Sequence, residues 1–215
     1  MLNVFMGNLT PELLIMRLIA VIIGLTVHEF SHGFASYLLG DRTAKHDGRL
    51  SLNPIRHIDP LGMALIMIFG FGWAKPVMVN PYNLKKPKRD MAIISIAGPL
   101  SNFIVAFIAT LAFAFMFVFT SANSMVMELV FTIIIINIVL GVFNLIPIPP
   151  LDGSKILALF LPPHLYWRYT GFRHGFILVI ILIATPISSW IIEPVLMAIY
   201  SGFSTVAVRI VMLFL

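Results

Sequence analysis

The stretch RLIAVIIGLTVHEFSHGF, residues 17–34, decides the fold of this chain. An apolar run, Leu18–Val27, leads directly into His28-Glu29-Phe30-Ser31-His32. Residues four apart lie on one face of a helix, so the two imidazoles can bind one Zn²⁺, and Glu29 can act as base toward a water at the metal. The alternative is a polar helix end at a membrane interface, although three adjacent ionisable groups in an apolar helix are costly unless they have a function.

The composition around this stretch requires a bilayer as the solvent. Of 215 residues, 60% are hydrophobic and 11% are charged, against about 45–50% and about 25% in an average soluble domain. The length fits one membrane-embedded domain, residues 1–215. The chain has no cysteine, so a metal site must use His, Asp or Glu. The net charge is +5, and most of the basic residues lie between apolar runs. This position is typical of cytoplasmic loops of a membrane protein, so we expect no nucleic-acid partner.

Four apolar segments are long enough to cross a bilayer, which needs about 20 residues of helix. They are Pro11–Leu39, Met91–Thr120, Met125–Ile146 and Gly175–Tyr200. Between the first two, Leu61–Pro81 is predicted to form a re-entrant or interfacial segment with a short β-hairpin. Ser201–Leu215 is predicted to be a C-terminal interfacial helix or an incomplete crossing. The fold class is therefore an all-α integral membrane protein with about four transmembrane helices.

The basic residues predict the orientation in the membrane. The stretches 41–60, 74–90 and 149–174 hold 4, 5 and 3 of the 14 Lys and Arg residues, and four spans place all three on one side. The positive-inside rule makes that side cytoplasmic. We therefore expect a multi-pass protein of the cell membrane, with its active site near the cytoplasmic side and both termini extracytoplasmic. No cleavable signal peptide is expected, because the first apolar run lacks a basic start and a small-residue cleavage site.

Asp152 is the candidate for a third metal ligand, which a catalytic zinc usually needs beside an open position. It follows NLIPIPPL (144–151) at the predicted cytoplasmic end of the third span, at the depth of His28 and His32. The prolines interrupt the helix there, and membrane proteins tolerate irregular backbone where it lines a polar cavity. The alternative is that Asp152 caps a helix that begins at Gly153.

Together these motifs resemble the site-2 protease family of intramembrane zinc metalloproteases, in its compact prokaryotic form without PDZ or CBS domains. The resemblance rests on HEFSH (28–32), NLIPIPPLDG (144–153), SLNPIRHIDPLG (51–62), FGFGWAKPVMVNP (69–81) and AGPLSN (97–102). It implies one Zn²⁺ per chain, with His28, His32 and Asp152 as ligands and Glu29 as catalytic acid–base. The implied substrates are transmembrane proteins or signal peptides, in regulated intramembrane proteolysis or remnant-peptide clearance.

Six further residues are candidates for substrate binding: Asn102, Asn144, Gly70, Phe71, Gly72 and Trp73. The two Asn amides can hydrogen-bond the substrate backbone or an oxyanion, or hold helices together. The resemblance implies that residues 70–73 belong to an edge strand that pairs with an extended substrate. The alternative is a tight glycine loop with Trp73 as an interfacial anchor. His57 lies in a basic loop, where an interfacial or hydrogen-bonded role is more typical than metal ligation.

Two other functions fit parts of the pattern. A membrane HExxH protease acting on soluble or lipidated chains commonly uses a downstream Glu as third ligand, but Glu128 and Glu193 lie near the predicted outer side. A metal transporter or metal-binding channel can also place His and Asp in the bilayer. Transporters favour repeated halves, however, and no repeat is visible in this sequence. A zinc-dependent cleavage assay separates these classes.

Overall fold

The computed structural model describes residues 10–69, 72–121, 123–172, 174–185 and 187–215. Over these ranges all regular secondary structure is helical, and no residue belongs to a β-strand. The α-helices in chain order are α1 Pro11–Leu38, α2 Thr43–His46, α3 Pro60–Phe69, α4 Pro87–Phe119, α5 Ser124–Asn144, α6 Asp152–Ala158, α7 Pro163–Thr170, α8 Gly175–Ala184 and α9 Ile187–Val211. Short 3₁₀ helices are Pro54–Arg56, Pro81–Asn83 and Met212–Phe214.

Among the described residues, four helices are long and apolar enough to cross a membrane, and four were predicted. They are Pro11–Leu38, Pro87–Phe119, Ser124–Asn144 and Trp190–Phe214. The first begins at Thr10, whose hydroxyl accepts a hydrogen bond from Leu13 N, with a proline in the first turn. Both features satisfy or remove amides that a helix start leaves unpaired. The chain is therefore a multi-pass membrane protein.

Helix α5 is packed on two sides. Ile134 contributes to a buried cluster that includes Ala106 of α4 and Ile192 of α9. Ile136 contributes to a second cluster, which includes Val21 of α1. The end of α5, which leads toward Asp152, is therefore held between the helix that carries the histidines and the last span.

The fourth span lies further along the chain than predicted. The predicted span Gly175–Tyr200 is divided, because α8 ends before Thr185 and α9 continues past Tyr200. Thr185 is extended, with φ −108° and ψ 157°, as expected for the residue before a proline. The stretch Ser201–Leu215, predicted to be an interfacial helix or an incomplete crossing, does not form a helix of its own: α9 continues to Val211, and most of the stretch lies within the fourth candidate span.

The segment after α3 does not form the predicted β-hairpin in its described residues. Helix α3 has 10 residues, too few to cross a bilayer. Residues 72–80 follow without regular secondary structure. Pro76 has no amide for a strand ladder, and three other amides bind elsewhere in the chain. Lys75 N donates to His57 O, Val77 N donates to Glu29 Oε2, and Asn80 N donates to Asp41 Oδ2.

Candidate metal centre and active-site cavity

Three side chains from distant parts of the sequence converge at one point. His28 and His32 lie one turn apart on α1, and Asp152 is the first residue of α6. Nε2 of His32 lies 3.0 Å from Nε2 of His28 and 3.0 Å from Oδ2 of Asp152, and the third distance, from Nε2 of His28 to the same Oδ2, is 3.2 Å. None of the three residues is more than 9% exposed.

The other nitrogen of each imidazole decides what these atoms can bind. Nδ1 of His28 lies 2.7 Å from Oδ1 of Asn102, and Nδ1 of His32 lies 2.8 Å from the carbonyl oxygen of Ile94. Both partners are acceptors, so each Nδ1 carries the proton and each Nε2 presents a lone pair. Together with Oδ2 of Asp152, three lone pairs face one another. Such a group is unfavourable unless a cation lies between its members.

Zn²⁺ fits this group in both chemistry and size. Ligands about 2.0–2.1 Å from a tetrahedral zinc are about 3.3–3.4 Å apart, close to the 3.0–3.2 Å between the three atoms here. Two imidazoles and one carboxylate form a donor set found in catalytic zinc sites, where the fourth position stays open. The group His28, His32 and Asp152 is therefore able to hold the metal ion.

Asp152 faces the imidazoles because the backbone around it is tightly packed. A Cβ on Gly153 would lie 2.1 Å from the carbonyl oxygen of Leu145, so only glycine lets α6 begin against the end of α5. Lys155 Nζ lies 3.4 Å from Oδ1 of Asp152, which leaves Oδ2 for the metal group. In the described structure the carboxylate thus points to these side chains instead of capping α6.

Asn102 joins three helices and orients His28. Its Nδ2 donates to the carbonyl oxygen of Gly24 and to Oδ1 of Asn137, both at 3.0 Å, which leaves Oδ1 to accept from His28. Asn102 is fully buried. All of these hydrogen bonds join Asn102 to other protein groups. Asn102 is therefore placed to orient the His28 ring from the side away from the metal group. Asn137 was not predicted as a site residue, although an amide in the apolar run of α5 was the available signal.

Gly98 lies against both imidazoles, and sequence reasoning did not single it out. A Cβ on Gly98 would lie 2.6 Å from Cε1 of His28 and 2.6 Å from Cε1 and Nε2 of His32. Only a hydrogen atom leaves room for the two rings. The available signal was the motif AGPLSN, in which this glycine precedes Pro99 inside helix α4.

Glu29 lies beside the metal group and is held from outside its own helix. It is 9% exposed, and its Oε2 accepts a hydrogen bond of 2.8 Å from the amide of Val77. The segment 72–80 therefore lies against α1 at the level of Glu29. This segment was predicted to bind substrate, and its contact with Glu29 was not predicted.

A cavity of about 630 Å³ opens beside the metal group and Glu29. Of the predicted substrate-binding residues, Gly72, Trp73 and Asn144 line it, whereas Gly70 and Phe71 lie outside the described residues. A Cβ on Gly72 would lie 2.0 Å from the carbonyl oxygen of Gly62, so α3 and this segment meet backbone to backbone. The rest of the wall is mostly apolar, with contributions from α1, α4, α5 and α8.

His57 takes the hydrogen-bonded role that its position predicted. It is fully buried, and its Nε2 lies 2.7 Å from the carbonyl oxygen of Ser51. Its own carbonyl oxygen accepts from the amide of Lys75 at 2.8 Å. Within the described ranges, the group able to hold a metal does not include His57.

The sequence of this chain is similar to known zinc metalloproteases. Residues 116–182, which include Asp152, match the family described as "Peptidase family M50". The chain is 42% identical over 186 residues to "Putative zinc metalloprotease YwhC" of Bacillus subtilis, covering 84% of this chain and 85% of that protein. It is 28% identical over 182 residues to "Putative zinc metalloprotease Rip2" of Mycolicibacterium smegmatis, covering 80% and 68%. No solved structure matches the chain.

Proposed function

This chain belongs to peptidase family M50, the site-2 protease family, and from that premise we propose that it is an intramembrane zinc endopeptidase cleaving transmembrane substrates. The observation that carries the proposal is the convergence of three lone-pair atoms beside a buried glutamate, at the wall of a largely apolar cavity. Zinc-dependent peptide hydrolysis needs side chains that can hold the metal, a base and room for a peptide, and all three are found at the wall of this cavity.

His28, His32 and Asp152 would hold one Zn²⁺ per chain. When bound, the ion supplies Lewis acidity and lowers the pKa of a coordinated water to about 7. Glu29 is the general acid–base, which takes a proton from the attacking water and delivers it to the leaving amine. The hydrogen bond from the Val77 amide to Oε2 fixes the orientation of the Glu29 carboxylate beside the metal group.

The substrate binds in an extended form. A helix keeps its peptide groups in its own hydrogen bonds, and each group released in lipid costs several kcal/mol unless it is paired again. Ala74 and Met78 line the cavity, and their amides have no hydrogen-bond partner within the described ranges. These two amides can pair with an unwound substrate by strand addition. The amide of Val77 cannot take this role while it is bound to Glu29.

Three of the predicted substrate residues keep that role in this proposal. Asn144, Gly72 and Trp73 line the cavity next to the metal group. Gly70 and Phe71 belong to the same predicted segment. Asn102 instead acts behind His28, because its amide is already bound on both sides.

We place the cavity near the cytoplasmic side of the cell membrane, with both termini extracytoplasmic. The metal group lies toward the C-terminal end of α1 and just beyond the end of α5, and the basic stretches 41–60 and 149–174 begin shortly after those two helix ends. Residues 1–215 then form a single protease domain. Its substrates are transmembrane proteins or signal peptides, in regulated proteolysis or remnant clearance.

The test is cleavage, in liposomes, of a single-span reporter with a Gly-Pro pair at the centre of its apolar segment. Glu29→Gln should lower the rate by about 10²–10⁴-fold, the usual contribution of general acid–base catalysis. The variant should still bind one zinc, because Gln is nearly isosteric and Glu29 is not assigned as a ligand. A reporter with an unbroken Leu segment should be cleaved more slowly, since proline favours unwinding. Equal rates for wild type and Glu29→Gln would refute the proposed function.

A further inference from the structure

Asp41 is a buried carboxylate that the proposed chemistry does not use. It follows the end of α1 and is 0% exposed. Its hydrogen-bond donors are uncharged groups: Oδ2 accepts from Ser36 Oγ (2.9 Å) and Asn80 N (2.9 Å), and Oδ1 accepts from Thr43 N (3.1 Å), Thr43 Oγ1 (2.6 Å) and Asn83 Nδ2 (2.8 Å). Burial alone would raise the pKa of Asp41, but the hydrogen bonds from Thr43, Asn83 and Asn80 lower it to about 2.

These hydrogen bonds join the end of α1 to the end of segment 72–80. The same segment reaches Glu29 through Val77 N, three residues before Asn80. At full extension, three residues span about 10 Å. Helix α1 rises about 10 Å between Glu29 and Ser36, over seven residues. An extended segment is therefore long enough to run along α1 between these two contacts.

Two further contacts support this course. Cγ1 of Val77 lies 3.5 Å from the position of a Cβ on Gly33, one turn after Glu29 on α1. On the other side, the amide of Lys75 donates to the carbonyl oxygen of His57 at 2.8 Å. The Val77 amide is therefore held between one anchor two residues before it and another three residues after it.

We propose that Asp41 is a positioning residue for catalysis, which holds segment 72–80 so that the Val77 amide meets Glu29. Asp41 is not part of the described wall of the cavity, so it acts through the segment and not on the substrate. A carboxylate suits this role because it accepts several hydrogen bonds at once from donors in separate parts of the chain. The proposal rests on the role proposed above for Glu29.

A matched pair at Asn80 tests the link without changing a buried charge. Asn80→Pro deletes the amide that Asp41 accepts, and it also deletes the side chain that accepts from Tyr82 N. Asn80→Ala deletes only the side chain. We expect Asn80→Pro to lower kcat on the Gly-Pro reporter by about 10–100-fold, as small misplacements of catalytic groups do, and Asn80→Ala to stay within about threefold of wild type. Equal activity of the two variants would overturn the proposal.

Asp41→Asn tests the carboxylate itself. We expect a fall in kcat of about 10–100-fold with one zinc still bound. Asp47→Asn, at an exposed carboxylate of the same loop, is the control and should match wild type. If Asp41 acts through the Val77 amide, Asp41→Asn should lower the activity of Val77→Pro by less than about twofold, because proline has already removed that amide. Losses that multiply would mean that Asp41 acts independently of this contact.

A readout independent of activity separates this inference from the proposed function. The chain has no cysteine, so Val77→Cys provides a single thiol on the segment. In the Asn80→Pro background its alkylation rate should rise at least about fivefold, because local opening exposes it, whereas Asn80→Ala should leave the rate unchanged. Unchanged rates in both backgrounds, in an enzyme whose wild type cleaves the reporter, would overturn the anchoring role alone. A wild type no more active than Glu29→Gln would overturn the proposed function, and the alkylation rates would still decide whether Asp41 anchors the segment.

Discussion

Replacing Gly98 with Ala should weaken zinc binding while leaving the fold intact. The new Cβ would lie 2.6 Å from atoms of His28 and His32, whereas ordinary contact begins at 3.4 Å, so a ring must move by roughly 0.8 Å. The rings are held by hydrogen bonds from Nδ1 to Asn102 and Ile94. Metal–ligand distances tolerate only about 0.2 Å. We therefore expect zinc affinity to fall about 10–100-fold, or about 1.4–2.8 kcal/mol.

The measurement is the zinc retained per chain after the purified protein is equilibrated with chelators of graded strength. Alanine is a better helix former than glycine by about 1 kcal/mol, so the thermal stability of the zinc-free protein should not fall. Gly202→Ala is the matched control, because a Cβ there would meet nothing within 4 Å. If Gly98→Ala and Gly202→Ala retain zinc equally at every chelator strength, the reasoning from close contact is refuted.

Three further predictions concern other parts of the molecule. Asn102→Leu should lower zinc affinity about 10–100-fold, because Nδ1 of His28 loses its hydrogen-bond acceptor. In the same chelator series Asn102→Asp should lower zinc affinity by less, because a carboxylate oxygen can still accept that hydrogen bond. The pKa of Asp41 is lowered from 3.8 to about 2, so its ionised form stabilises the fold above about pH 4, and this contribution is lost as the pH falls toward 2. Melting temperatures of wild type should therefore fall more steeply than those of Asp41→Asn over that range, and parallel curves would contradict this. A single cysteine at Lys86 should react with an impermeant reagent only after the membrane is opened, and labelling of intact cells would contradict the proposed orientation.

The central group could be predicted because its members are marked by spacing and depth. His28 and His32 are four residues apart in an apolar run, which places them on one helix face. Asp152 lies 120 residues beyond His32, and the argument from membrane depth, together with the family resemblance, joined it to the two histidines. The structure brings these three side chains together. Four long apolar helices followed from hydropathy in the same way.

The features that the sequence did not predict depend on contacts between helices, which leave no periodic pattern in the sequence. Gly98 lies against the imidazoles because α1 and α4 approach closely, and that approach is a property of the packed pair of helices. In the sequence, Asn137 is one polar residue in an apolar run, and only the structure shows its hydrogen bond with Asn102. The boundary of the fourth span was predicted wrongly because the sequence stays apolar on both sides of Thr185, whereas the helix ends there and Thr185 is extended.

The two-sided packing of α5 bears on how the molecule opens. One buried cluster includes Ile134 and Ile138, and the other includes Ile136, so the departure of α1 or α9 alone uncovers only one face of this stretch. Its amides should therefore exchange hydrogen for deuterium only when the whole protein unfolds, and more slowly than those of 72–80. The three side chains of the metal group lie on α1 and α6, outside α5. We therefore expect zinc to leave and return while the amides in the middle of α5 stay protected.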